Sequence, residues 1–250
     1  MTAPIRAPRW ALHPFTAALV LLALVLLAGL RALTAAPGSD AAGLTVFIAA
    51  AVGGAAAGFT GSGDRRHTAL LSGSARRGTP VIGWFAAGLV IGAVPLALGA
   101  ALVGLLPQAL LPSVVRAVLF GTAALAVLAR EFGMLRFPLP HLRRPALPGG
   151  GLGERAALHL GIEMGTGVRA GSASALPHLA LLAIVLVVPF PAAFAVAAGF
   201  AAGRVAAPML CAAWPDDGVW LRVWTAAEPL LRPTLAVVCI GALGLVMLAA

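Results

Sequence analysis

The sequence is poor in charged residues and has no tyrosine or lysine. A composition so low in charge is unusual for a soluble protein. Only 10% of the 250 residues are charged and 61% are hydrophobic, against about 25% and roughly 45–50% in an average soluble domain. The hydrophobic residues are grouped in long runs of leucine, alanine and valine. Since a helix needs about 20 mostly apolar residues to cross a bilayer core, these runs predict an all-α membrane protein.

Cysteine is also scarce. Cys211 and Cys239 lie in unrelated segments, and the sequence has no CxxC motif and no cluster of cysteine and histidine. A structural zinc site or a disulfide framework requires such spacings. We therefore predict no metal, no cofactor and no dithiol chemistry.

Arginine supplies all of the basic residues, seventeen against eight acids, for a formal net charge of +9. Because the arginines lie between apolar runs, we interpret them as orientation signals and as contacts for anionic lipid head groups, and not as a nucleic-acid surface. The predicted partners are therefore the lipid bilayer and its anionic head groups. A second membrane protein is an alternative partner, and nucleic acid is not an expected one.

About seven apolar runs divide the chain into an N-terminal segment and two halves. Residues 1–43 contain a cytoplasmic tail and the first span. A cleaved signal peptide is the alternative there, but the run 14–30 exceeds the roughly 7–15 apolar residues of a signal core, so we predict a retained helix or signal anchor. The halves, 44–130 and 156–250, have three spans each. A linker rich in proline, glycine and arginine, 131–155, joins them.

Segment 211–229 lies between the last two apolar runs and combines tryptophans with charged residues. Trp214, Trp220 and Trp224 predict a helix at the membrane interface, because tryptophan favours the head-group layer.

The arginines also predict the orientation. With a cytoplasmic N-terminus, thirteen of the seventeen fall on the cytoplasmic side, and the opposite loops have essentially none. The thirteen are Arg6, Arg9, Arg65, Arg66, Arg76, Arg77, Arg130, Arg136, Arg143, Arg144, Arg155, Arg204 and Arg222. By the positive-inside rule, we predict a cytoplasmic-membrane protein with its N-terminus inside and its C-terminus outside. Three others near span ends, Arg31, Arg116 and Arg232, are expected to extend to the head groups.

The two halves have an odd number of spans each and so insert in opposite directions. This predicts a 3+3 inverted repeat after the extra N-terminal helix, an architecture common in secondary transporters. Each half opens with a glycine-rich helix, which includes Gly58 and Gly61 in the first half and Gly161 and Gly165 in the second. The alternative is that these glycines serve only for close helix packing.

The order of elements resembles the CcdA/DsbD family of transmembrane electron carriers, which serve cytochrome c biogenesis and thiol export. The likeness lies in residues 81–89, 130–133, 135–138 with Arg143 and Arg144, 161–177 and 189–203. That family uses a reactive cysteine beside a proline in the first span of each half. Here residues 58–61 and 169–172 stand in those regions, and they contain no cysteine. The resemblance therefore implies the scaffold and not the dithiol activity.

The fifth apolar run, 156–188, is too long for one straight span and contains four helix-weakening residues, Gly165, Gly167, Gly171 and Pro177. We predict a break between Gly165 and Pro177 that lines a solute or ion path, because lipid tolerates irregular backbone only where it is buried or lines a cavity. The predicted path residues are His159, Glu163, Gly165, Gly167, Arg169, Ser172, Pro177 and His178.

Glu163 and Arg169 of this path would be costly as ions at membrane depth and are expected to face a cavity or a partner. His159 and Glu163 are four residues apart and share a helix face. Arg169 at a helix break favours an anion. The alternative is a structural network in which Glu163 pairs with Arg169, or either pairs with Arg116 or Asp64.

Two functions remain open at this point. The first is a transporter or carrier of a small solute, with an anion favoured by Arg169. The second is a membrane subunit or assembly factor that holds protein partners without transport. An enzyme is not expected, because serine pairs such as Ser172 and Ser174 are not accompanied by a positioned base.

Overall fold

The computed structural model describes residues 13–34, 40–60, 65–76, 80–136, 153–166, 174–214 and 217–249, and every regular element in them is a helix. In chain order the helices are α1 Pro14–Thr34, α2 Asp40–Thr60, α3 Arg65–Arg76, α4 Val81–Leu110, α5 Ser113–Glu131, α6 Glu154–Gly165, α7 Leu176–Leu186, α8 Phe190–Ala213 and α9 Asp217–Ala249.

Six of these helices are long and apolar enough to cross a membrane, namely α1, α2, α4, α5, α8 and α9. Their outer faces expose large apolar side chains, and Leu106, Val114 and Leu125 are each about two thirds exposed. Soluble monomers rarely expose contiguous apolar surface on this scale. The chain is therefore a multi-pass helical membrane protein, as its composition predicts.

The described helices differ from the predicted spans at two places. The fifth predicted span is divided into two short helices, α6 and α7. The seventh is merged with the predicted interfacial segment into α9, which is continuous for 33 residues with Pro229 and Pro233 inside it. At the ends of the predicted linker, Glu131 is the last residue of α5 and Glu154 the first of α6.

Helices α2 and α8 pack face to face through glycines. A side chain on Gly54 would collide with the backbone of Val196, and one on Gly58 with the backbone of Phe200. From the other side, Gly199 and Gly203 meet the backbone of α2. A later residue of α2 meets a later residue of α8, so the two helices run in the same direction. Glycines four residues apart on both helices permit this close approach.

The same pattern recurs between α4 and α6. A Cβ atom on Gly88 would collide with the backbone of Leu158, and one on Gly92 with that of Ile162. Gly161 and Gly165 approach the backbone of α4 in the same way. These helices also run in the same direction, because the contacts advance together along both.

Each of these crossings is extended by a second, shorter helix. After α6, helix α7 continues along α4, where Gly104 faces the backbone of Val185. After α2, helix α3 continues along α8, where Thr68 and Leu71 line a small cavity with Pro208. We call α2 with α3 the first arm and α6 with α7 the second arm. The first arm lies along α8 and the second along α4.

The tryptophans of segment 211–229 lie inside the protein, and the position of this segment at the membrane interface stays a prediction. Trp220 and Trp224 are buried and stack with ring centroids 5.1 Å apart, and Phe59 of α2 lies 5.3 Å from Trp224. Trp214 is also buried. The Trp224 ring of α9 therefore packs between Trp220 and Phe59 of α2.

Candidate functional site

A cavity of about 190 Å³ lies where α6 ends and α7 begins, between α4 and α8. Its lining residues are Ala93, Leu96 and Ala97 of α4, Gly165 of α6, Pro177, His178, Ala180, Leu181 and Ile184 of α7, and Val196, Ala197 and Phe200 of α8. Helix α4 belongs to the first predicted half, and the other three belong to the second.

Three of the predicted path residues, Gly165, Pro177 and His178, line this cavity. Gly165 is the last residue of α6, where the absence of a side chain lets α6 approach α4. Pro177 lies in the first turn of α7, where no helical partner exists for a backbone N–H in any case. The predicted break between Gly165 and Pro177 agrees with the end of α6 and the start of α7 at Leu176.

The other predicted path residues are not among the lining residues that the structure describes. His159 is exposed on α6, and Glu163 is half-buried one turn further along the same helix. Gly167, Arg169 and Ser172 lie outside the described residues. The pairing of Glu163 with Arg169 therefore stays a prediction.

Glu131, which the sequence analysis did not select, caps the N-terminus of α7. Its Oε1 atom accepts a hydrogen bond from the hydroxyl of Ser174 at 2.9 Å and another from the backbone N–H of Ala175 at 2.8 Å. The Ser174 hydroxyl oxygen in turn accepts the N–H of Leu176 at 3.2 Å. One carboxylate thus satisfies, directly or through Ser174, donors at the start of a helix that lack an intrahelical acceptor.

Two side chains cap the other end of α7. The amide nitrogen of Gln108 donates to the carbonyl oxygens of Ile184, Val185 and Val188 at 3.0, 3.2 and 3.2 Å. Arg116 donates from Nη1 to the carbonyl oxygen of Leu186 at 3.2 Å. The predicted extension of Arg116 to the head groups stays a prediction. Its guanidinium is directed at the backbone of α7.

The two charged caps come from opposite ends of α5, which runs antiparallel to α7. Glu131, at the C-terminus of α5, meets the N-terminus of α7, and Arg116, in the first turn of α5, meets the C-terminus of α7. A helix has partial positive charge at its N-terminus and partial negative charge at its C-terminus. Both charges therefore have the sign that stabilises α7.

A second polar region lies in the first arm. His67 and Thr68 of α3 and Arg204 of α8 are buried around a cavity of about 10 Å³, about the space of one water molecule. The Arg204 guanidinium carbon lies 5.3 Å from the ring centroid of Phe200, which lines the larger cavity. Arg204 is 2% exposed within α8. Because Arg204 is buried among helices, the predicted orientation rests on the other arginines assigned to the cytoplasmic side.

The larger cavity can hold a small solute by shape and apolar contact. His178 is the only titratable side chain among its described lining residues. A neutral imidazole offers one hydrogen-bond donor and one acceptor, and a protonated one offers two donors. Volumes of about 300–1,000 Å³ are usual for drug-sized ligands, so this cavity suits a solute of only a few heavy atoms.

Comparison with protein-family models, with curated proteins and with solved structures finds no match for this chain.

Proposed function

We propose that this protein is a membrane carrier for a small solute and that the cavity beside His178 is its solute site. The proposal rests on one observation, the coincidence of a cavity with the point where the second arm is interrupted. Discontinuous helices with a binding site at the interruption are common in secondary transporters. The lining comes from α4 of one predicted half and from α6, α7 and α8 of the other.

We further propose that α6 and α7 together form one interrupted span, which gives seven spans in all. Successive spans alternate in direction, so two parallel helices must be an even number of spans apart. Only α4 and α5 among the long helices separate α2 from α8, and with these alone α2 and α8 would be antiparallel. Their parallel packing through Gly54, Gly58, Gly199 and Gly203 supports a further crossing between them.

The predicted inverted repeat is supported by the reciprocal arrangement of the two arms. The first helix of each half packs against the second long helix of the other half, since α2 meets α8 and α6 meets α4. Both crossings use glycines spaced by four on both helices, and both arms continue as a short helix along the same neighbour. A two-fold relation that exchanges α2 with α6 and α4 with α8 describes both contacts.

The likeness to the CcdA/DsbD scaffold stays part of this proposal, without the redox chemistry. In the region where that family has a reactive cysteine, Gly58 lies against the backbone of Phe200. A cysteine side chain at this position would collide with α8. The two cysteines of the chain are buried in α8 and α9, and the cavity lining described includes neither.

The described lining favours a small neutral or weakly polar solute. An anionic solute stays a prediction that depends on Arg169, since no described lining residue has a permanent positive charge. His178 would contribute a hydrogen bond to the solute, or a proton binding site coupled to it.

Alternating access can be tested without knowing the solute. A cysteine replaces Ala97, which lines the cavity, or Ala101, which is buried one turn further along α4 and does not line it. Both variants have Cys211 and Cys239 replaced by alanine. A small membrane-impermeant methanethiosulfonate reagent is then applied to right-side-out and to inverted vesicles.

A carrier exposes its solute site to each side in turn, so we expect the cysteine at position 97 to react in both vesicle orientations and the one at position 101 in neither. Reaction from neither side at position 97 would contradict the carrier proposal. It would favour the alternative, a membrane subunit or assembly factor with a closed interior.

A further inference from the structure

The short helix α7 forms one wall of the cavity and is held by side chains from other helices at both ends. It has only 11 residues, so the N–H and C=O groups at its ends that lack intrahelical partners are a large share of its backbone polar groups. Its N-terminal donors meet Glu131, and its C-terminal carbonyls meet Gln108 and Arg116. Gln108 belongs to α4, and Glu131 and Arg116 belong to α5.

The N-terminal contact lies next to the cavity. Glu131 accepts the N–H of Ala175, and the carbonyl oxygen of Ala175 accepts the N–H of His178 at 3.1 Å. Two hydrogen bonds therefore connect the Glu131 carboxylate to the backbone of the histidine that lines the cavity. Ser174, which is fully buried, provides a second connection through its hydroxyl.

We propose that Glu131 is the positioning residue of the solute site and that it fixes the first turn of α7, with Pro177 and His178, against the cavity. Gln108 of α4 and Arg116 of α5 contact the opposite end, so α5 binds α7 at both of its ends. This inference rests on the proposed function in one respect, that the cavity is a solute site.

The charge of Glu131 is central to this role. A carboxylate forms stronger hydrogen bonds than a neutral group, and its negative charge favours the N-terminus of a helix. Glu131→Gln retains the size and one acceptor oxygen but removes the charge. Glu131→Asp retains the charge on a shorter side chain, and we expect it to restore part of the contact.

The test measures how often the start of α7 opens. A cysteine replaces Ala180, a buried lining residue of α7, or Ala57, a buried residue of α2, with Cys211 and Cys239 replaced by alanine. N-ethylmaleimide crosses membranes and reports opening without any transport assay. A failure of the carrier proposal would therefore leave this result interpretable.

We expect Glu131→Gln to increase the labelling rate at position 180 about tenfold, because a hydrogen bond to a charged group is lost. The rate at position 57 should not change, and Glu131→Asp should give a smaller increase at position 180. Glu154→Gln is the matched control, since Glu154 is an exposed carboxylate in the first turn of α6. It should leave both rates unchanged.

Two results would overturn the proposal. Equal rates in wild type and Glu131→Gln at position 180 would show that the carboxylate does not hold α7. Equal increases at positions 180 and 57 would show that Glu131 stabilises the fold as a whole. If Glu131→Gln does not accumulate in the membrane, Ser174→Ala provides the same test, because it removes one of the two donors to Glu131.

Discussion

The two arms have the same glycine packing but different interiors at their second helices. In the second arm, the apolar helix α7 leaves a cavity of about 190 Å³ against α4 and α8. In the first arm, the polar helix α3 leaves only about 10 Å³ around His67 and Arg204. Glycine spacing thus fixes how the arms approach their neighbours, and the composition of the short helix decides whether space remains.

The largest expected effect comes from changing the packing that both arms share. We expect Gly161→Ile and Gly199→Ile each to destabilise the protein by about 3 kcal/mol or more, because the added side chain would have to displace backbone. The measurement is the amount of folded monomer after detergent extraction, together with its thermal unfolding. Gly99→Ile is the control, since nothing lies within 4 Å of a Cβ atom there.

Similar stability of Gly161→Ile and Gly99→Ile would contradict the close approach of α6 to α4. If Gly199→Ile destabilises the protein and Gly161→Ile does not, only the first arm depends on close glycine packing.

An intermediate effect is expected from larger side chains at the two cavities, which differ in volume between the arms. Ala97→Leu places extra volume in the larger cavity and should cost less than about 1 kcal/mol, whereas Leu71→Phe in the first arm should cost roughly 1–3 kcal/mol because no space is available. Ala97→Leu should also block thiol labelling of a cysteine at position 180 from either side of the membrane. Denaturant or thermal unfolding in the same detergent gives the two costs.

If Ala97→Leu proves as destabilising as Leu71→Phe, the cavity in the second arm is not the open space that distinguishes the arms.

The smallest effect is expected at an ion pair that belongs to neither arm. Arg232 pairs with Glu228 one turn earlier in α9, and both side chains are partly exposed. We expect Glu228→Gln to change the unfolding free energy by no more than about 0.5 kcal/mol, as for other exposed pairs of this spacing. This variant sets the baseline in the unfolding measurements, and a loss above about 1 kcal/mol would indicate that the pair has a structural role.

The candidate site was predicted in part from local signals. Gly165 and Pro177 weaken a helix wherever they occur, and an apolar run longer than one span requires a break, so the sequence places the interruption correctly. His178 follows because it adjoins the break. Glu131 was missed because its partners, Ser174 and Ala175, lie 43 and 44 residues away along the chain. A single acid at a helix end has no local pattern that reveals such a contact.

The surroundings of two residue types are also set by the tertiary structure. The sequence predicts Arg204 as a cytoplasmic arginine, and Trp220 and Trp224 as interfacial tryptophans. The structure buries all three inside the bundle. Statistical preferences for loops and head groups describe side chains whose surroundings are lipid or water, and here neighbouring helices provide the surroundings instead.

The sequence by itself determined that the chain is a helical membrane protein and where its fifth apolar run is interrupted, because hydrophobic length and helix-breaking residues act locally. Only the tertiary structure decided that α2 and α6 lie parallel to α8 and α4, that a cavity remains beside His178, and that α5 caps α7 with opposite charges at its two ends. These features depend on contacts between helices that are far apart in the chain, and no local sequence pattern specifies such contacts.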